Sequence, residues 1–205
     1  MQIWFFLSLI GFVGVIPPYF LSVEHSKLKE KYGNQKGKRI GEILGVISGW
    51  GFFLFWFGIW LSPQDRFVTP FLQDLQIQIP YTDFSLNIFN LIVFLPFFIA
   101  GLWFGIKGVI QTSLKVAETH RTERITFTSV YSIMRHPQYF GGILAHIGFS
   151  ILLSALFSLL STPLVLAEIY FISRKEEIEL AKEFGKEYGD YKTRVPMLFP
   201  KKLRR

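Results

Sequence analysis

The sequence predicts an all-α integral membrane protein with about five transmembrane helices. The last two form a helical hairpin, and a further helix follows at the cytoplasmic C-terminus. Three observations carry this. Half of the 205 residues are hydrophobic and 23 are Phe, more apolar surface than a soluble domain of this size needs. The apolar residues gather in blocks of the length that spans a hydrocarbon layer of about 30 Å. The basic residues concentrate between alternate blocks, as the positive-inside rule requires.

The first block runs from Ile3 to Leu21 and reads IWFFLSLIGFVGVIPPYFL. No basic segment precedes it and no small-x-small site follows, so it reads as a span and not as a cleaved leader. Pro17 and Pro18 predict a bend, because proline removes a backbone hydrogen bond and clashes with the preceding turn. A polar loop follows, EHSKLKEKYGNQKGKRIGE. The second span is Ile43 to Leu61. The second loop, SPQDRFVTPFLQDLQIQIPYTDF, carries three prolines and three Asp. The third span is Leu86 to Ile110, interrupted by Pro96. A polar connector covers Gln111 to Met134. The last apolar block runs from Gly142 to Ile172, and the charged tail from Ser173 is helical to about Tyr191. The chain reads as one domain, with a three-helix membrane part over 1–110 and the motif-bearing part over 111–205.

Charge sets the orientation. The first loop holds six Lys/Arg, the second loop only Arg66, the stretch from Lys107 to Arg135 five, and the tail from Arg174 ten, which accounts for all 22. Basic loops stay in the cytoplasm. The first loop, the connector and the tail are then cytoplasmic, and the N-terminus lies outside. The last apolar block must therefore cross an even number of times. As one helix its 31 residues reach about 46 Å at 1.5 Å each, too long for one crossing. A hairpin turning near Ser154 or Ser161-Thr162-Pro163 satisfies both constraints. The net charge of +7 is read as orientation and contact with anionic lipid, not as nucleic-acid binding. The absence of cysteine excludes disulfides and a cysteine nucleophile in this chain.

Two polar clusters flank the hairpin. The first is Arg135-His136-Pro137-x-Tyr139, followed by Gly141 and Gly142. Proline suits the first position of a helix. The free N–H groups of that turn, beside Arg135 and His136, make an anion site at the membrane surface. The alternative is a juxtamembrane basic cluster with an interfacial tyrosine. The second cluster is RKEEIELAKEFGKEYGDY, Arg174 to Tyr191. Glu176 and Glu177 begin a helix below the second arm, and the hairpin returns them to the surface that holds Arg135 and His136. The cleft between the clusters suits a zwitterion. Glu179 and Glu183 read instead as solvated partners of Lys182 and Lys186. His146 and Glu168 lie inside the last apolar block and come from opposite arms, so they are candidates to meet across the hairpin. The four histidines show no metal-ligand spacing, and no metal site is expected.

These two motifs resemble the isoprenylcysteine carboxyl methyltransferase family, which is related to the membrane phospholipid N-methyltransferases. The resemblance rests on YSIMRHPQYFGG followed by KEEIELAKEFGKEYGDYKTRVPMLFP, about Ser129 to Pro200. Tyr131, Arg135, His136, Pro137 and Tyr139 match the first motif. Glu176, Glu177, Phe184, Gly185, Tyr188 and Tyr191 match the second. Ser129, Val130 and Met197 depart from the family's usual residues. The resemblance implies methyl transfer from S-adenosylmethionine to a lipophilic small-molecule or lipid-modified acceptor, entering from the bilayer. It implies Arg135, His136 and Glu176 as catalytic residues, with Arg135 and His136 at the cofactor's carboxylate end or at the acceptor. It implies Tyr131, His136, Pro137, Tyr139, Glu176, Glu177 and Tyr188 around the cofactor. Two other classes remain as alternatives: an NADPH-dependent sterol-type reductase, disfavoured by Gln138 and Gly142, and a non-enzymatic membrane scaffold or transport component. The acceptor's identity and the oligomeric state stay open.

Overall fold

The computed structural model describes residues 2–70, 75–81, 85–120, 122 and 124–200. Parts of the second loop (71–74 and 82–84), Arg121 of the connector and the basic residues of 201–205 lie outside the described residues.

The described chain is mostly helical. The first apolar block forms α1 (Ile3–Gly14) and α2 (Ile16–Val23). The break falls at Val15, just before the two prolines. Pro17 then sits in the first turn of α2, where its missing N–H leaves no bond unmade.

The predicted first loop is helical, which corrects the expectation from sequence. It forms α3 (His25–Tyr32) and the opening turns of α4 (Asn34–Leu61). Its Lys and Glu residues are good helix formers, and Gly33, at φ 79°, makes the turn between the two helices. A Cβ at Gly37 would collide with the Leu28 carbonyl, so the backbones of α3 and α4 lie in direct contact.

The second loop contains a short antiparallel pair that periodicity did not reveal, β1 (Gln76–Gln78) and β2 (Ser85–Asn87). The Asn87 side chain caps α5 (Ile88–Thr112), accepting from the N–H groups of Phe89 and Asn90. Pro96 lies inside α5 without ending it. The connector carries α6 (Leu114–Thr119) and a 3-10 turn over Ser129–Ser132. Next come α7 (Pro137–Leu152), α8 (Leu156–Leu160) and α9 (Thr162–Arg194). No separate helix begins at Glu176; α9 is continuous through it. The break comes at Gly185, with φ 53° and ψ −123°, a left-handed backbone that favours glycine.

Among the described residues, three stretches are long and apolar enough to cross a membrane: Ile3–Val23, Asn34–Leu61 and Ile88–Thr112. The 16-residue α7 is shorter than a full span.

Two packing features position the polar clusters. The first is the seam between α5 and α7, built from small residues on both sides. A Cβ on Gly141 would stand 2.6 Å from the Gly101 carbonyl, and one on Gly101 would stand 3.0 Å from the Gly141 carbonyl. Such backbone contact between helices needs residues with no side chain. The second is a clamp on the turn after α7. Phe67 N–H donates to the Ser154 carbonyl at 3.0 Å, and Leu156 N–H donates to the Asp65 carbonyl at 3.0 Å. Ser158 N–H donates to the Gln64 side chain at 2.8 Å. Asn90 Nδ2 donates to Ser154 Oγ at 2.7 Å. Ser154 has φ 51°, and these partners stabilise that left-handed turn.

Candidate functional site

Arg135 and His136 are held as a strand-like step before α7. Their backbone N–H groups donate to the carbonyls of Pro196 and Met197 at 2.9 and 3.1 Å. The tail is therefore folded back onto the RHP segment. Pro137 is the first residue of α7.

The Arg135 side chain is buried and fully engaged. Its Nε and Nη2 lie 2.7 and 2.6 Å from Oε1 of Glu177. Its Nη1 donates to the carbonyl of Lys192 at 3.0 Å and to that of Val195. The last carbonyls of a helix lack intrahelical partners, and the guanidinium takes two at the end of α9. Glu177 is completely buried and is also paired with Lys192 Nζ at 3.0 Å. Burial would raise its carboxyl, but His136, Lys192 and Arg135 prevail and hold it down at about 2.

His136 lies between the two carboxylates. Nδ1 is 3.3 Å from Glu176 Oε2, and Nε2 is 3.4 Å from Glu177 Oε1. The second contact is not aligned as a hydrogen bond, so it acts through charge alone. Burial works against the charged ring, yet the two carboxylates outweigh it and raise the imidazole above its ordinary value. The same pairing holds Glu176 below the usual carboxylate range, against the effect of its own burial. The His136 ring stacks on Tyr139 with centroids 5.6 Å apart.

Glu176 Oε1 accepts from the Tyr139 hydroxyl at 2.6 Å and from the Tyr19 hydroxyl; the two phenols also touch each other. Tyr191 donates to the Tyr131 carbonyl at 2.7 Å, and Gln138 Nε2 donates to the Tyr131 hydroxyl at 3.1 Å. The Tyr188 side chain is buried, and its hydroxyl has no hydrogen-bond partner among the described residues.

These groups line one cavity of about 680 Å³, a size typical of small-molecule sites. Part of its wall is polar, from Tyr19, Tyr131, His136, Tyr139, Glu176 and Tyr188. The rest is apolar, from Trp50, Phe53 and Trp56 on α4 and Phe98, Leu102 and Ile106 on α5. Gly105 and Gly142 keep it open. A Cβ on Gly142 would stand 2.8 Å from the Trp56 ring, whereas Gly105 faces empty space.

Of the site residues expected from the two motifs, Tyr131, Arg135, His136, Tyr139, Glu176 and Tyr188 line this cavity, whereas Glu177 is buried behind it against Arg135 and Pro137 acts through the backbone. His146 and Glu168 do not meet. Nδ1 of His146 accepts from the indoles of Trp56 and Trp60 at 2.9 and 3.0 Å. The ring proton is then on Nε2, which donates to the Ser158 carbonyl at 3.1 Å. The Glu168 carboxyl is buried without a hydrogen-bond partner among the described residues. Glu179 pairs with Lys182 at 2.8 Å, as expected. Tyr19, His120 and Lys192 had no motif to reveal them. Tyr19 alone carried a signal, as a polar tip at the end of an apolar block. No group of metal-ligating side chains occurs among the described residues.

The phospholipid methyltransferase family model matches residues 90–187. This segment contains α5, the RHP step, α7 and most of α9. The matched segment is just under half of the chain, and over it the chain is similar to this group of membrane methyltransferases. The family segment begins well before Ser129, because the α5–α7 seam is part of it, and it stops short of the VPMLFP tail. A relative in Bradyrhizobium diazoefficiens, methanethiol S-methyltransferase 2, is 39% identical over 74 residues, or 35% of this chain. The match spans 27% of that relative's length. No solved structure matches the chain. The matched segment thus supplies most of the cavity wall, and Tyr19 of α2 with Trp50, Phe53 and Trp56 of α4 completes it.

Proposed function

We propose that this protein transfers a methyl group from S-adenosylmethionine to a lipophilic acceptor at the cytoplasmic membrane surface. The acceptor atom is a carboxylate oxygen, an amine or a thiol. One observation carries the reading: a single cavity joins a polar wall of His136, Glu176 and Tyr188 to an apolar wall from α4 and α5. Those two helices are apolar enough to cross a membrane. In this reading the chain crosses five times with its N-terminus outside. The short α7 and the first part of α9 are the last two arms.

The residues fit the cofactor. The Tyr188 hydroxyl lines the cavity and is a buried polar group without a hydrogen-bond partner among the described residues, and a ligand bearing carboxylate or hydroxyl oxygens satisfies it. Glu176 supplies the negative charge that an ammonium or ribose hydroxyls need. When bound, S-adenosylmethionine supplies an electrophilic methyl group on a sulfonium.

The chain's own residues then do three things. Glu176, His136, Tyr139 and Tyr188 hold one reactant, and the apolar wall aligns the other; positioning is the main lever for an in-line displacement. The aromatic lining excludes water. An amine or thiol acceptor reacts after losing its proton, and Glu176, held below the usual carboxylate range, serves as a positioning charge and not as the base. Arg135 reaches the cavity wall while holding Glu177 and the end of α9, and Pro137 starts the helix that carries Tyr139. Glu176 and Glu177 together favour the charged form of His136.

The test uses the purified protein in nanodiscs with methyl-labelled S-adenosylmethionine. Arms with lipid extract, a prenylated cysteine, and methanethiol separate the acceptor classes, the last because a relative is named for that thiol. Label is expected in the product of one arm. Titrations with S-adenosylmethionine and with NADPH run alongside. Binding of NADPH alone would replace this reading with a reductase, and binding of neither with a scaffold.

A further inference from the structure

We infer that Tyr19, on α2 and outside the matched family segment, is a positioning residue of this site. Its hydroxyl, together with that of Tyr139, holds one oxygen of Glu176 so that the other stays on His136. The inference rests on the methyl-transfer reading above and extends it to the N-terminal helices.

Tyr19 is 4% exposed and lines the cavity. Its hydroxyl reaches Glu176 across 157 positions of sequence. With both phenols on Oε1 and the imidazole on Oε2, the carboxylate plane is constrained from both sides. Tyr19 adds a third contact to those that Tyr139 and His136 make with this carboxylate. Hydrogen bonds to an ionised group are the stronger kind, so the loss of one is felt.

The ring of Tyr19 is itself supported. His120 of the connector lies against it with centroids 4.0 Å apart. His120 is fixed in turn by Ser22, one turn along α2, whose Oγ is 3.0 Å from His120 Nδ1. A second tie joins the end of α2 to α9 beside Glu176: Lys175 is paired with Glu24. Two independent links therefore hold α2 at this point on α9. A tyrosine serving only as core packing would need neither the carboxylate nor the histidine behind it.

Tyr19→Phe keeps the ring, its stacking and its volume, and removes only the hydroxyl. The measurement is the affinity for S-adenosylmethionine, by titration of the purified full chain, alongside the melting temperature. Affinity is expected to fall about tenfold or more, the effect of one hydrogen bond to a charged group, with melting little changed. If wild type binds and Tyr19→Phe binds equally well, this inference is overturned and the methyl-transfer reading stands. An affinity that falls only in step with the melting temperature would also overturn it. If wild type binds no S-adenosylmethionine, both fall. Should Tyr19→Phe not fold, His120→Ala decides: weakened binding supports the positioning role, and unchanged binding removes it.

Discussion

Glu177 receives the Arg135 guanidinium at 2.6 Å with 0% of its side chain exposed. The pair comes from residues 42 positions apart and lies directly beneath the His136 ring. It is the floor on which the polar wall of the cavity rests.

Arg135→Ala should therefore abolish methyl transfer and also destabilise the protein. Removing one partner of a buried pair costs up to about 3–5 kcal/mol, less here because Lys192 and His136 still face Glu177. The last carbonyls of α9 lose their donor as well. Arg135→Lys should restore little, because an ammonium cannot reproduce the fork that spans Glu177 and two carbonyls. Thermal melting in detergent and labelled methyl incorporation, measured on both variants, check this. An Arg135→Ala protein with wild-type melting would contradict the floor role.

Stability should depend on pH from two sides. His136 is raised above its ordinary value of 6.5, so its contribution is complete below about 6.5 and is lost as pH rises through the raised value. Glu177 is lowered from 4.5 to about 2, so its contribution is present above about 4.5 and fades as pH falls toward 2. Melting temperature against pH should show a plateau between the two. His136→Asn should remove the decline at the alkaline side and also move the acid limb to higher pH, because His136 is among the groups that hold Glu177 down.

The α5–α7 seam predicts a contrast between two glycines. Gly141→Ala drives a methyl group into the Gly101 carbonyl, and backbone cannot give way as a side chain can. A loss of about 1–3 kcal/mol is expected, with reduced methyl transfer because Tyr139 and His136 shift with α7. Gly105→Ala faces open space within the cavity and should melt like wild type. Equal behaviour of the two variants would rule out the tight seam.

Gly185 offers a separate check on the C-terminal motif. Its φ of 53° is strained for any residue with a Cβ, by roughly 1 kcal/mol. Gly185→Ala should weaken S-adenosylmethionine binding, because Tyr188 and Tyr191 lie beyond the break, while Gly189→Ala, in open space, should not. Titration of both variants against wild type measures the difference.

Glu179→Ala should be close to neutral. Glu179 joins Lys182 and Lys175 at 2.8 and 3.7 Å, but these are flexible surface-type pairs worth under about 1 kcal/mol. Wild-type melting and methyl transfer are the expected readouts.

The membrane character, the three long apolar helices and the two motifs of the polar wall were legible in the order of residues alone. These are local signals: runs of apolar residues, charge between blocks, and short motifs with proline and glycine at their bends. The RHP step and the Glu176-Glu177 pair lie in contact, with helix breaks at residues 153–155 and at Ser161 between them. The remaining features depended on packing in three dimensions. Packing made the first loop helical, paired β1 with β2, gave His146 to two indoles and not to Glu168, and folded the tail onto Arg135. It also brought Tyr19 and His120 to the site. These are contacts between residues far apart in sequence, selected by how whole helices pack and by which buried polar groups remain to be satisfied. Neither the period of a helix nor the charge of a loop carries that information.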